Sequence, residues 1–148
     1  MNIKIYLDAC CLNRPFDNQS QVRVHLESEA ILQIIESAKK GKVIWFNSDA
    51  LEFEVDKIEN QDKKEKVLAL LEYSNNKIEM NDSIVAKAID IQKLGFSPLD
   101  ALHVALGIFI QVDVLLTTDD KLEKIGKKNK LKIGIDIDNP LNWIKNII

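Results

Sequence analysis

The chain has 148 residues, 46 % hydrophobic and 29 % charged, with no repeat or low-complexity tract, which is the profile of one globular domain (residues 1–148) with a true core. A formal net charge of −3 excludes a globally basic coat for nucleic acid, although lysines 121, 124, 127, 128, 130 and 132 against the lone Glu123 make one segment locally basic. The only cysteines, Cys10 and Cys11, are adjacent, which argues against an ordinary disulfide. No apolar run reaches membrane-spanning length and no secretion signal opens the chain, so a cytoplasmic protein is expected.

Ile3, Ile5 and Leu7 alternate and predict a buried first strand. Cys10 to Gln21 holds Asn13, Pro15, Asp17, Asn18 and Ser20 and reads as a loop or an irregular turn. From about Val22 to Lys40, Leu26, Ala30, Ile31, Ile34, Ile35 and Ala38 recur at helical spacing, and Gly41 is placed to stop that helix. Lys42 to Phe46 is the second strand. Asn47 or Ser48 then caps a helix over 49–59.

A helix over 62–73 follows, then a short strand at Ile78 and Met80. The next helix opens at Asp82 or Ser83, carries Ile84, Ala88 and Ile91, and closes at Gly95. Ser97-Pro98 opens a helix running to Ile110, with serine at the cap and proline at the first helical position. Val112 to Leu116 is a strand, 120–129 a helix, Leu131 to Ile135 a last strand, and Asn139-Pro140 opens a short terminal helix. Alternating strands and helices specify an α/β fold with a mainly parallel central sheet. Trp45 and Trp143 are assigned to its core.

Four carboxylates stand at strand ends or helix starts: Asp8, Glu54, Asp100 and Asp119. Parallel α/β sheets gather such positions along one edge, where ligands bind. Acids brought together there repel one another unless a divalent cation neutralises them. Asp8 ends an apolar strand, where an unpaired carboxylate is expensive. At about 100° per residue, Glu54 faces inward between Leu51 and Ala50, whereas Glu52 shares a solvated face with Asp56 and Glu59. Asp100 is the third helical residue after the cap Ser97, and His103, one turn on, reads as a polar core residue. Asp119 is nearest the end of its strand, with Asp120 as the alternative, and the Thr117 and Thr118 hydroxyls are placed to support a carboxylate or a bound water.

These residues resemble the PIN domain family, metal-dependent nucleases that include the VapC toxins of bacterial toxin–antitoxin pairs. The likeness spans essentially the whole chain. It rests on Leu7-Asp8, on Ser48 with Glu54 six residues later, on Asp100-Ala-Leu-His-Val-Ala105, and on Leu116-Thr-Thr-Asp119 with Leu122. One departure is that Ala9-Cys10 stand where the family often has Thr followed by Asn or Ser, with Asn13 as a substitute polar contact.

The resemblance implies a three-layer α/β/α fold and an acidic quartet of Asp8, Glu54, Asp100 and Asp119 that holds Mg²⁺ or Mn²⁺ and hydrolyses RNA. It also implies a small antitoxin partner and a homodimer. Lysines 121, 124, 127 and 128 would guide a single-stranded RNA backbone, and Arg14 would contact phosphate. Two other readings compete with the nuclease: an inactive PIN-like binding module, and a receiver-type signalling domain with an acidic Mg²⁺ pocket.

Overall fold

The computed structural model describes residues 3–148. Strand β1, Ile3–Leu7, lies at the centre of the sheet. On one side it pairs with β2, Val43–Ser48, which pairs in turn with β3, Asn76–Ile78. On the other it pairs with β4, Val114–Leu116, which pairs with β5, Asp136–Asp138. All these pairings are parallel, in the order β3-β2-β1-β4-β5. The chain moves one way from β1 through β2 to β3 and then crosses back to β4. The topological switch point therefore falls between the C-terminal ends of β1 and β4.

Alternation along the strands divides the core into two halves, one on each face. Ile5, Leu7, Val43, Trp45, Val114 and Leu116 point to one side. There they meet α1, Ala9–Asn13, α2, Val22–Lys39, α3, Asp49–Asp56, α4, Gln61–Leu71, and the C-terminal Trp143. Tyr6, Phe46, Leu115 and Ile137 point to the other. They pack against α5, Asp82–Gln92, α6, Pro98–Ile110, α7, Asp120–Lys128, and α8, Lys130–Ile133. The result is the three-layer α/β/α arrangement, and both tryptophans are buried as expected. A last helix, α9, spans Pro140–Trp143.

Helix α7 docks closely on β5 because Gly126 carries no side chain: a methyl there would stand 2.5 Å from Ile137 Cδ1. That close approach sets how near the last turn of α7 lies to the sheet.

Several expected elements differ. The segment read as a loop from Cys10 to Gln21 contains α1 and a 3-10 turn over Arg14–Phe16, because Asp8 caps it through Ala9 N–H. The last strand is not at 131–135. Lys130–Ile133 is helical, Gly134 ends it at φ +77, and the strand begins at Asp136. The alternating Leu131 and Ile133 mimic a strand, yet Leu131 is fully exposed and Ile133 buried, as the two faces of a single helical turn. Strand β4 begins at Val114 rather than Val112, since Gln111 takes the left-handed conformation and Val112 N–H still bonds to Gly107 of α6. Helix α3 stops at Asp56, three residues short of the expected end.

Candidate active site

Asp8 leaves the end of β1 with 6 % of its surface exposed. Its Oδ1 accepts from Ala9 N–H at 2.8 Å, so it caps α1. Its Oδ2 accepts from the Thr117 hydroxyl at 3.1 Å and lies 3.4 Å from the Cys10 thiol. Cys10 also touches Thr117 Oγ1 and accepts from Thr118 N–H. Cys10 and Thr117 are thus the side chains that touch the Asp8 carboxylate, and Asn13 makes no hydrogen bond to it.

Ser48 ends β2 and caps α3, its Oγ accepting from Leu51 N–H at 3.0 Å. Two turns into that helix, Glu54 turns toward α6, and its Oε1 meets His103 Nε2 at 2.8 Å. Glu52 turns the other way, to Lys77 at 2.6 Å and Asn47 at 2.9 Å. On α6, Asp100 follows the cap Ser97 and is half-buried. Its carboxyl is held above the usual carboxylate range, first by burial and then by the charge of Asp8, with Asp119 adding to the rise and Ser97 and His103 opposing it.

Asp119 caps α7, its Oδ1 accepting from Lys121 and Leu122 N–H, while its own N–H bonds to Thr117 Oγ1 at 3.1 Å. Asp120, the alternative, is exposed and pairs with Arg23 at 2.7 Å. Ligand atoms of Asp8, Glu54 and His103 lie within 4.8 Å of one another. Asp100 and Asp119 stand outside that tight triad but close enough for their charges to act on each other.

Two residues of this site were not assigned to it from sequence. Tyr6 and His103 are both completely buried, and Tyr6 Oη lies 2.7 Å from His103 Nδ1 and 2.7 Å from Ser48 Oγ. Burial pushes the Tyr6 pKa well up, so it remains a phenol. For His103, burial pushes the pKa down, but the Glu54 hydrogen bond and the charges of Asp8, Glu54 and Asp100 outweigh it and the net shift is upward. The spacing Asp100-x-x-His103 is the one sequence signal that could have linked the histidine to the acids, since it puts both on one helix face. Arg14, expected to reach phosphate, instead sits 3.0 Å from the buried Glu27 and also pairs with Asp17.

Oxygen donors gathered at a switch point, with a carboxyl already pushed up by burial and by its acidic neighbours, suit a hard divalent cation. The class so defined is a parallel α/β protein with an acidic centre between β1 and β4. The sequence matches the PIN domain family over residues 5–128, and the chain belongs to that family. PIN domains are in general nucleases that use divalent metals.

Two solved structures share the fold. VapBC2 from Rickettsia felis, solved bound to a DNA fragment from its promoter, superposes with a TM-score of 0.62 at 12 % identity, over 93 % of this chain and 98 % of that one. PAE2754 from Pyrobaculum aerophilum gives a TM-score of 0.58 at 14 % identity, over 99 % of each chain. No curated protein matches by sequence. Among the described residues, no helix is long and apolar enough to cross a membrane.

Proposed function

We propose that the protein is a metal-dependent endoribonuclease, the toxin of a toxin–antitoxin pair, with Asp8, Glu54, Asp100 and Asp119 holding Mg²⁺ or Mn²⁺. One observation carries the reading. Asp8 and Glu54 each bring an oxygen within 4.8 Å of the other, Asp100 feels the charges of Asp8 and Asp119, and among the described residues no lysine or arginine pairs with any of these four. Converging carboxylates whose one basic neighbour is the His103 imidazole on Glu54 are electrostatically incomplete, and a divalent ion would complete them.

A divalent cation bound there supplies an activated water and neutralises charge on the scissile phosphate. The chain's own residues do the rest. Asp8 is held by Thr117 and the α1 cap, Asp119 by the start of α7, and Glu54 by His103. No side-chain nucleophile is needed. Lys121, Lys124 and Lys128 follow one stripe of α7 leading away from Asp119, and they make no ion pair among the described residues. Such a stripe suits the backbone of a single-stranded RNA. Lys127 is engaged by Asp136 and Asp138 and is less free to contribute.

The shared fold with a VapBC2 complex supports a small antitoxin as partner, and a homodimer and a cytoplasmic location accompany that reading.

The test is cleavage of a mixed single-stranded RNA pool by purified protein with Mg²⁺ or Mn²⁺, beside EDTA and Asp100→Asn controls. Cleavage lost in both controls is expected. Silence in every condition, with folded and metal-loaded protein, would point instead to a very selective toxin or an inactive binding module.

A further inference from the structure

We propose that Tyr6 and His103 are positioning residues: a buried hydrogen-bond chain from Ser48 through Tyr6 and His103 fixes the carboxylate of Glu54 and thereby sets the affinity of the site for its divalent cation. This rests on the reading of Glu54 as a metal ligand.

The chain has three links, Ser48 Oγ to Tyr6 Oη at 2.7 Å, Tyr6 Oη to His103 Nδ1 at 2.7 Å, and His103 Nε2 to Glu54 Oε1 at 2.8 Å. Ser48, Tyr6 and His103 are each 0 % exposed, so no water competes for these bonds. Counting protons gives the chain a direction. With Glu54 ionised and the imidazole neutral, Nε2 must carry the proton and donate to the carboxylate. Nδ1 is then bare and accepts from the Tyr6 hydroxyl. Tyr6, its single proton spent, accepts from Ser48, whose oxygen still accepts from Leu51 N–H. Every polar atom has a partner and every bond one proton. The reverse direction would set a bare Nε2 against a carboxylate oxygen, two lone pairs facing each other at 2.8 Å.

The chain also closes on itself. Ser48 caps α3, and Glu54 projects from the same helix six residues later. Running from Ser48 through β1 and α6 back to Glu54, the ring ties one helix to the sheet and to the helix that carries Asp100. Glu54 needs such a tether. It is partly exposed and its three side-chain torsions are among the costliest to order, so packing alone would not hold it. Both ring nitrogens of His103 are occupied, which assigns it the role of orienting a ligand rather than being one.

The experiment is Mn²⁺ titration of the metal-free full chain, followed by calorimetry, for the wild type, Tyr6→Phe, His103→Leu and His103→Gln, with circular dichroism and melting as folding controls. Tyr6→Phe and His103→Leu are expected to weaken Mn²⁺ binding by about 10- to 100-fold. His103→Gln, whose amide can donate to Glu54 in place of Nε2, should recover most of the loss. In RNA cleavage, kcat at limiting Mn²⁺ should fall and return at high Mn²⁺, with KM for RNA unchanged. Should His103→Leu fail to fold, the isosteric Tyr6→Phe and His103→Gln decide.

Unchanged affinity in every variant would overturn the proposal. Loss in both His103 variants with none in Tyr6→Phe would also overturn it, by making His103 itself a ligand. Wild-type protein that binds no Mn²⁺ would sink the metal reading and the proposal together, a result separate from the other two.

Discussion

The hydroxyl of Thr117 donates to Asp8 Oδ2 over 3.1 Å, joining residues 109 positions apart across the switch point of the sheet. The same oxygen accepts from Asp119 N–H at 3.1 Å, so one side chain positions two of the four acids. Asp8 and Asp119 are held in register through a residue that is not itself an acid.

Replacing Thr117 with valine keeps the volume and removes the hydroxyl. Asp8 Oδ2 then retains only the weak thiol of Cys10, and the Asp119 N–H loses its acceptor. Stability should fall by about 1–3 kcal/mol and Mn²⁺ affinity by about 10-fold or more. Urea unfolding of metal-free protein gives the first and calorimetric titration the second. A variant with full stability and full affinity would show that the hydroxyl is not a support.

Asp100→Asn removes a carboxyl that burial and Asp8 already disfavour as an anion. The metal-free variant should melt at or slightly above the wild-type temperature, the gain being only a few tenths of a kcal/mol because the group is half in solvent and its charge is screened. Mg²⁺ should raise the wild-type melting temperature and leave the variant's nearly unmoved. Paired melting curves with and without Mg²⁺ test both statements.

The raised pKa of His103 predicts a pH dependence with a definite sign. A histidine whose folded pKa lies above its ordinary 6.5 contributes stability that is fully present below 6.5 and is lost as pH rises through the folded value. Asp100 runs the same way at lower pH: its raised carboxyl contributes below 3.8, and that contribution disappears as pH climbs through the folded value. Metal-free protein should therefore lose denaturant resistance as pH is taken upward from 6.5, and His103→Gln should lose less. Mn²⁺ affinity should rise over the same interval, because a cation and an imidazolium oppose each other across Glu54.

Changing Lys121, Lys124 and Lys128 together to alanine should raise KM for RNA with Mn²⁺ affinity unchanged. At about 0.7 per phosphate contact on a single strand, losing three contacts should lower the salt slope of binding by about 2. An unaltered slope would assign the stripe to solvent alone.

Local chemistry determined much of this protein. The alternation of Ile5 and Leu7 against Tyr6, and of Val43 and Trp45 against Phe46, decides which face of the sheet each residue joins, because strand geometry has a period of two. The caps at Ser48, Ser97 and Asp119 are legible because a serine or aspartate before a helical run satisfies free N–H groups within the next few residues. Those signals fix the order of elements, and with the family motifs they bring the four acids to one edge. Where local signals were ambiguous, tertiary packing decided. Lys130–Ile133 alternates like a strand and folds as a helical turn, and Ala9–Asn13, ahead of the polar residues of its segment, becomes α1 once Asp8 caps it. Thr117 was legible as a support, but which acid each support meets lay furthest beyond the sequence. Tyr6 meets His103 across 97 positions, His103 meets Glu54 across 49, and Thr117 meets Asp8 across 109. A hydrogen bond needs its partners within about 3 Å, and for residues so far apart only the completed packing of sheet against helices sets that distance.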